Sequence, residues 1–109
     1  CNKSKGEIII ESFLIKHSII FEKQKKLDGC RFKNPLSFDF YIEKLNTCIE
    51  YDGAQHFLSI KFFGGDEKLL ISKQRDEVKT KYCKDNNINL LRIKYNDDIL
   101  EKLKDYFNL

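Results

Sequence analysis

The stretch that most constrains this chain is Thr47-Cys48-Ile49-Glu50-Tyr51-Asp52-Gly53-Ala54-Gln55-His56-Phe57. Cys48 and Ile49 are apolar and β-favouring, so the run reads as a strand leaving a turn at Lys44–Asn46. Strand side chains alternate faces, which sends Glu50 and Asp52 to the same side. Gly53 lets the chain leave the strand in a conformation that other residues resist, and Gln55 and His56 follow. Two carboxylates, an amide and an imidazole therefore gather at one strand end, an unfavourable arrangement without a cation.

A second strand precedes it, Leu36–Tyr41, in which Phe38 and Phe40 are expected on one face and Asp39 on the other. The connection Ile42–Asn46 is short enough for a hairpin, which sets Asp39 beside Glu50 and Asp52. Hard divalent cations take oxygen ligands at about 2.0–2.1 Å and complete their shell with water and phosphate. Asp39 and Glu50 meet that need for Mg²⁺ or Mn²⁺, with the Tyr51 carbonyl adding an oxygen. A lone acid of this kind would be read as solvating an exposed sheet face. Acids on adjacent strands beside Gly-Ala-Gln-His point to a site.

Asp39, ten intervening residues, then Glu50-Tyr51-Asp52-Gly53-Ala54-Gln55-His56 resembles the core of the PD-(D/E)XK nuclease superfamily. More narrowly, it is similar to the branch of very-short-patch-repair endonucleases and EDxHD homing endonucleases. The likeness extends over nearly the whole chain, through Ser4–Glu7, Phe21-Glu22-Lys23-Gln24, Phe38-Asp39-Phe40, Asp76-Glu77-Val78-Lys79 and Leu90-Leu91-Arg92-Ile93. It implies an α/β, restriction-endonuclease-like fold: a mixed sheet of about four strands flanked by helices, in the order α-β-β-β-α-β-α. It also implies a metal-dependent endonuclease that hydrolyses DNA phosphodiester bonds in homing, repair or a restriction-like role. One departure stands out. The superfamily's lysine, two residues after the acidic ligand, is Asp52 here. Lys79, on the following helix, is the candidate replacement, and Arg75 the candidate phosphate anchor. By the same resemblance, Glu7 in the first helix reaches the metal site, although a capping box with Ser4 already accounts for it. A non-catalytic nucleic-acid-binding module on a degenerate nuclease fold is the rival reading, motivated by the missing lysine.

Phosphodiester hydrolysis needs an activated water, charge stabilisation at phosphorus and help for the leaving oxygen. His56 is the candidate acid or base, since imidazole titrates near working pH, although a hydrogen-bonded strand-end histidine explains it equally well. Gln55 and Asp52 would orient water or His56, and Gln24 reaches toward the same place from the first strand.

At 109 residues with 41% hydrophobic and 13% aromatic content, the chain has enough apolar material for one packed domain, residues 1–109. A net charge of +3 permits a nucleic-acid partner without requiring one. Between Lys16 and Lys33, a basic run that includes Lys23, Lys25, Lys26 and Arg31 suits either a solvated loop or an edge facing phosphates. The four cysteines lack metal-ligand spacing and read as reduced thiols of an intracellular protein. No apolar run approaches a membrane span. The sequence contains no methionine, which leads us to expect a piece of a longer protein. In relatives of this look, a cysteine in the place of Cys1 closes a zinc ribbon; a lone terminal cysteine is the other reading.

The remaining segments are read as follows. A first helix is expected from Ser4 to about His17, then a strand at Ser18–Gln24 and a polar loop at Lys25–Pro35 turning at Asp28-Gly29. Phe62 and Phe63 are expected as core, or as wedges against bases if exposed. A long helix over Asp66–Asp85, interrupted early, a strand over Ile88–Tyr95 and a helix from Asn96 or Asp97 to about Phe107 complete the chain.

Overall fold

The alternation of apolar residues in the third strand divides the molecule into two cores. Cys48 and Glu50 point to one face, and Ile49 and Tyr51 to the other. The computed structural model describes residues 5–53 and 65–109. Cys1, Ser4, Gln55, His56, Phe62 and Phe63, singled out above, lie outside the described residues.

The elements are α1 (Lys5–Lys16), β1 (Glu22–Phe32), β2 (Asn34–Ile42), a 3₁₀ turn (Glu43–Leu45), β3 (Thr47–Asp52), α2 (Gly65–Asp85), β4 (Asn89–Lys94) and α3 (Ile99–Phe107). The sheet order is β1-β2-β3-β4, with the first two pairings antiparallel and β3–β4 parallel. A parallel neighbour needs a crossover, and α2 supplies it. The chain is therefore α/β, with a mixed four-stranded sheet flanked by helices.

On one face, Ile10, Phe13 and Leu14 of α1 and Leu103 of α3 bury Phe40, Ile42, Ile49 and Ile93. On the other, Val78, Tyr82 and Cys83 of α2 cover Cys30, Phe38 and Cys48. Cys30, Cys48 and Cys83 are buried free thiols. Burial raises the pKa of each. Helix α1 ends with Ser18 at φ 56° and a hydrogen bond from the Ile19 N–H to the Leu14 carbonyl, a left-handed closure of the last turn. Asp98 caps α3 by accepting from the Glu101 N–H.

The first strand differs from the expectation. The polar stretch read as a loop continues β1 to Phe32, and β2 begins at Asn34 after a turn at Lys33, whose φ is 66°. Leu27 and Cys30 both pack on the α2 side although they are three residues apart. The β1–β2 register shifts between Lys26 and Arg31, where Gly29 takes a φ of 89°. An irregularity of this kind breaks the period of two that marks a strand in sequence. Tyr82 ties the same place to α2 by donating its hydroxyl to the Asp28 carbonyl at 2.7 Å. Gly29→Ala is expected to lower stability by about 1 kcal/mol through backbone strain alone. The added methyl would find room, 3.7 Å from the Tyr82 ring. Urea denaturation of the two proteins measures the difference.

The second strand also departs from the expected pattern. Phe38 joins the α2-side core, whereas Phe40 joins the α1-side core. Gln24 lies between the pairs Lys23↔Phe40 and Lys25↔Phe38 and holds a φ of 50°. The ladder changes face at that point, and Asp39 sits at the change.

Candidate functional site

Strands β2 and β3 pair only from Phe40↔Ile49 to Ile42↔Thr47, and beyond Phe40 they part. Asp39 lies at this opening. Its Oδ2 accepts the Tyr51 N–H at 2.8 Å, so the carboxylate fastens the free part of β3. Gln24 Nε2 stands 3.5 Å from Asp39 Oδ1, and the Gln24 Oε1 accepts from the Ser37 hydroxyl at 3.2 Å. Gln24 on β1 thus touches Asp39 without joining the cleft lining described below.

Glu50 is 6% exposed and lies next to Asp39. Its Oε1 accepts from Lys79 Nζ at 2.5 Å, and that ammonium stands 5.3 Å from the centroid of the Phe38 ring. Burial pushes the Glu50 carboxyl up to about 8, with the Asp39 charge pushing the same way and Lys79 opposing both. Lys79 does not pair with Asp76 one turn away on α2, the ordinary helical alternative for these two residues. Asp76 instead meets Arg92, at 3.6 Å.

These groups face a cleft of about 440 Å³ whose lining includes Asp39, Glu50, Asp52, Ser72, Arg75 and Lys79. Asp52 also lines a second cavity of about 600 Å³ between α2 and β4, with Thr80, Lys84, Arg92 and Lys94. Of the residues named from sequence, the cleft collects Asp39, Glu50, Tyr51, Asp52, Arg75 and Lys79. The backbone of Tyr51 serves this side, because its ring packs on the α1-side core. Glu7 lies in the first turn of α1, the helix on the other face of the sheet, and is not in the cleft lining. Glu7 thus remains a first-turn residue of α1, the place where a carboxylate suits the helix dipole.

The basic edge of β1 is largely occupied within the fold. Lys23 pairs with Glu11 at 2.8 Å, Lys25 with Glu22 at 3.3 Å, and Arg31 donates to the Lys33 carbonyl at 3.3 Å. Lys26 is exposed. These lysines do not join the cleft lining, whereas Arg75 does.

The donor set fits a hard cation in part. Asp39 and Glu50 are two juxtaposed carboxylates, one buried, whose mutual repulsion a cation would relieve. Among the described residues there is no group of three His, Cys, Asp or Glu side chains arranged to hold a metal. Further ligands would therefore be backbone, water or substrate oxygens, as is usual for Mg²⁺.

Two residues of structural consequence escaped the sequence reading. Arg92 stands opposite Glu50 in the β3–β4 ladder, and its Nη2 donates to the Asp76 carbonyl and the Thr80 hydroxyl, each at 3.1 Å. It clamps α2 to the sheet three residues before Lys79 and at the residue after it. The available signal was its place in β4 between Leu91 and Ile93, which alternation turns to the α2 face. Gly6 is the other: the Tyr51 ring occupies the space where its Cβ would stand.

No protein-family profile matches the chain, and no solved structure matches it. It is similar to three viral proteins. The uncharacterized protein 307L of Invertebrate iridescent virus 6 is 39% identical over 61 residues, 55% of this chain and 31% of that protein. The uncharacterized protein 033L of Invertebrate iridescent virus 3 is 30% identical over 63 residues, 57% and 32% of the two. The uncharacterized protein 094L of Frog virus 3 is 36% identical over 62 residues, 55% and 40%. The matched segment spans well under half the length of each of these relatives. Among the described residues no helix is long and apolar enough to cross a membrane.

Proposed function

We propose that the chain is a metal-dependent DNA endonuclease domain of restriction-endonuclease-like architecture, akin to the very-short-patch-repair and EDxHD group. The observation that carries this reading is the meeting of Asp39, Glu50 and Lys79 in one cleft from β2, β3 and α2. An acid pair with an adjacent lysine is the minimal equipment for phosphodiester hydrolysis. Asp39 and Glu50 would hold Mg²⁺ or Mn²⁺, with the Tyr51 carbonyl. Such a cation supplies an acidified water and Lewis-acid stabilisation of charge on the phosphorus oxygens. Lys79 would take the part of the superfamily's missing lysine: its ammonium reaches Glu50 and can meet a phosphate oxygen or the attacking water. Arg75, on the cleft lining, anchors a phosphate. Asp52 remains a positioning group at the mouth.

The rival, a nucleic-acid-binding module without cleavage, is favoured by one observation, the absence of a third acidic ligand among the described residues. Supercoiled plasmid incubated with Mg²⁺, Mn²⁺ or EDTA separates the two. We expect nicking or linearisation only with metal, and its loss by at least about 100-fold in Asp39→Ala, the order of effect seen when a transition-state-stabilising group is removed. Full cleavage by Asp39→Ala would overturn the assignment. Binding of DNA by the wild-type chain without cleavage under any metal would favour the rival.

A further inference from the structure

The contact that defines the site also restricts it. Lys79 Nζ lies 2.5 Å from Glu50 Oε1, with the lysine side chain 15% and the glutamate side chain 8% exposed. A cation held between Asp39 and Glu50 would share that carboxylate with the ammonium. A divalent cation bound at about 2.0–2.2 Å from a carboxylate oxygen would stand within a few ångströms of the ammonium. Like charges at that range, poorly screened by water, repel strongly. The Phe38 ring beneath the ammonium, 5.3 Å away at its centroid, favours its present position.

Resting on the metal-site reading above, we infer that Lys79 is a built-in counter-ion that competes with a divalent cation for Glu50. Loading of a divalent cation on Asp39 and Glu50 is then coupled to release of Lys79 from Glu50. Arg92 makes this an exchange of a side chain rather than of a helix. Its hydrogen bonds to Asp76 and Thr80 fasten α2 on both sides of Lys79, so the backbone keeps its place while the flexible lysine stem moves. The freed ammonium swings into the cleft shared with Arg75, the region open to a phosphate. Lys79 is thus a gate on cation affinity as well as a reacting-site group. By linkage, the cation weakens the Lys79–Glu50 contact by the same factor that Lys79 weakens cation binding.

The test is calorimetric titration of Mn²⁺ alone, without nucleic acid, into the wild-type chain, Lys79→Met, Lys79→Arg and the double variant Asp39→Asn with Lys79→Met. Lys79→Met is expected to bind Mn²⁺ about tenfold or more tightly than wild type, within the usual range of coupling between two sites. Lys79→Arg keeps the charge and is expected to bind like wild type. Asp39→Asn combined with Lys79→Met should lose the gain, which places it at this acid pair. If Lys79→Met fails to fold, Lys79→Gln provides the same comparison with a polar isostere. Equal or weaker binding by the neutral variants, with measurable binding by wild type, overturns the counter-ion role and leaves the nuclease reading standing. Absence of Mn²⁺ binding in every protein, the neutral variants included, overturns both.

Discussion

On the nuclease reading proposed above, Glu50→Gln is expected to abolish metal-dependent cleavage and, in EDTA, to remove a pH dependence of stability expected of the wild-type chain. Burial and the Asp39 charge hold the Glu50 carboxyl near 8 in the folded state, against 4.5 for an ordinary glutamate. A raised pKa means that the folded protein binds this proton more tightly than the unfolded chain does. The resulting stabilisation is complete below about pH 4.5 and is lost as the pH rises through 8. Metal-free wild type should therefore weaken between those limits, by an amount that the Lys79 contact, which favours the charged carboxylate, reduces. Glutamine keeps the shape and carries no charge, so its unfolding free energy should stay flatter over the same interval. Urea denaturation of both proteins at pH 5, 7 and 9 in EDTA measures the difference. Parallel curves would show that the Lys79 contact already neutralises the carboxylate in the folded state. Adding Mn²⁺ at pH 9 should restore wild type in proportion to its binding and leave Glu50→Gln unchanged.

Gly6→Ala is expected to be the most damaging methyl addition in the described part of the chain. A Cβ at this position would coincide with the ring of Tyr51, which packs on the buried first turn of α1. Neither partner can retreat easily, because Tyr51 belongs to the central strand and its N–H is held by Asp39. Overpacking of this kind costs about 2–3 kcal/mol. For a domain of this size, that lowers the melting temperature by roughly 10 °C or more. Tyr51→Leu in the same background should recover part of the loss, since the smaller side chain vacates the space. A melting temperature unchanged in Gly6→Ala would show that the helix start can shift away from the sheet. Because Tyr51 also lies between Glu50 and Asp52, the substitution is expected to disturb the cleft as well as the core.

Much of the architecture was legible from local pattern. The apolar recurrence Ile9, Ile10, Phe13, Leu14 marked α1, although Ile9 is exposed, and the alternation through Cys48, Ile49 and Glu50 marked β3. A strand, a long helix and a strand in succession called for a crossover and hence a mixed sheet, which is the arrangement found. The juxtaposition of Asp39 with Glu50 followed from one short connection between adjacent strands. Other features were hidden because they depend on departures from regular periods. The continuation of β1 through Lys25–Phe32 is masked by its irregular register, and the separation of Phe38 from Phe40 by the left-handed backbone at Gln24. The basic edge looked available in sequence, yet Glu11, far away along the chain, neutralises Lys23.

The sequence by itself determined the element order, the two-sided core and the acid pair, since each follows from side-chain period and the length of a single turn. Only the tertiary structure decided which cation answers those acids. Lys79 is 29 residues from Glu50 along the chain, and helical spacing alone offered Asp76 as its partner. Arg92 claims Asp76, the crossover lays α2 over β3, and the buried carboxylate then draws the nearest ammonium. A charge left alone in a low-dielectric interior is far more costly than one left in water, so the buried Glu50 outcompetes the exposed helical neighbour for Lys79.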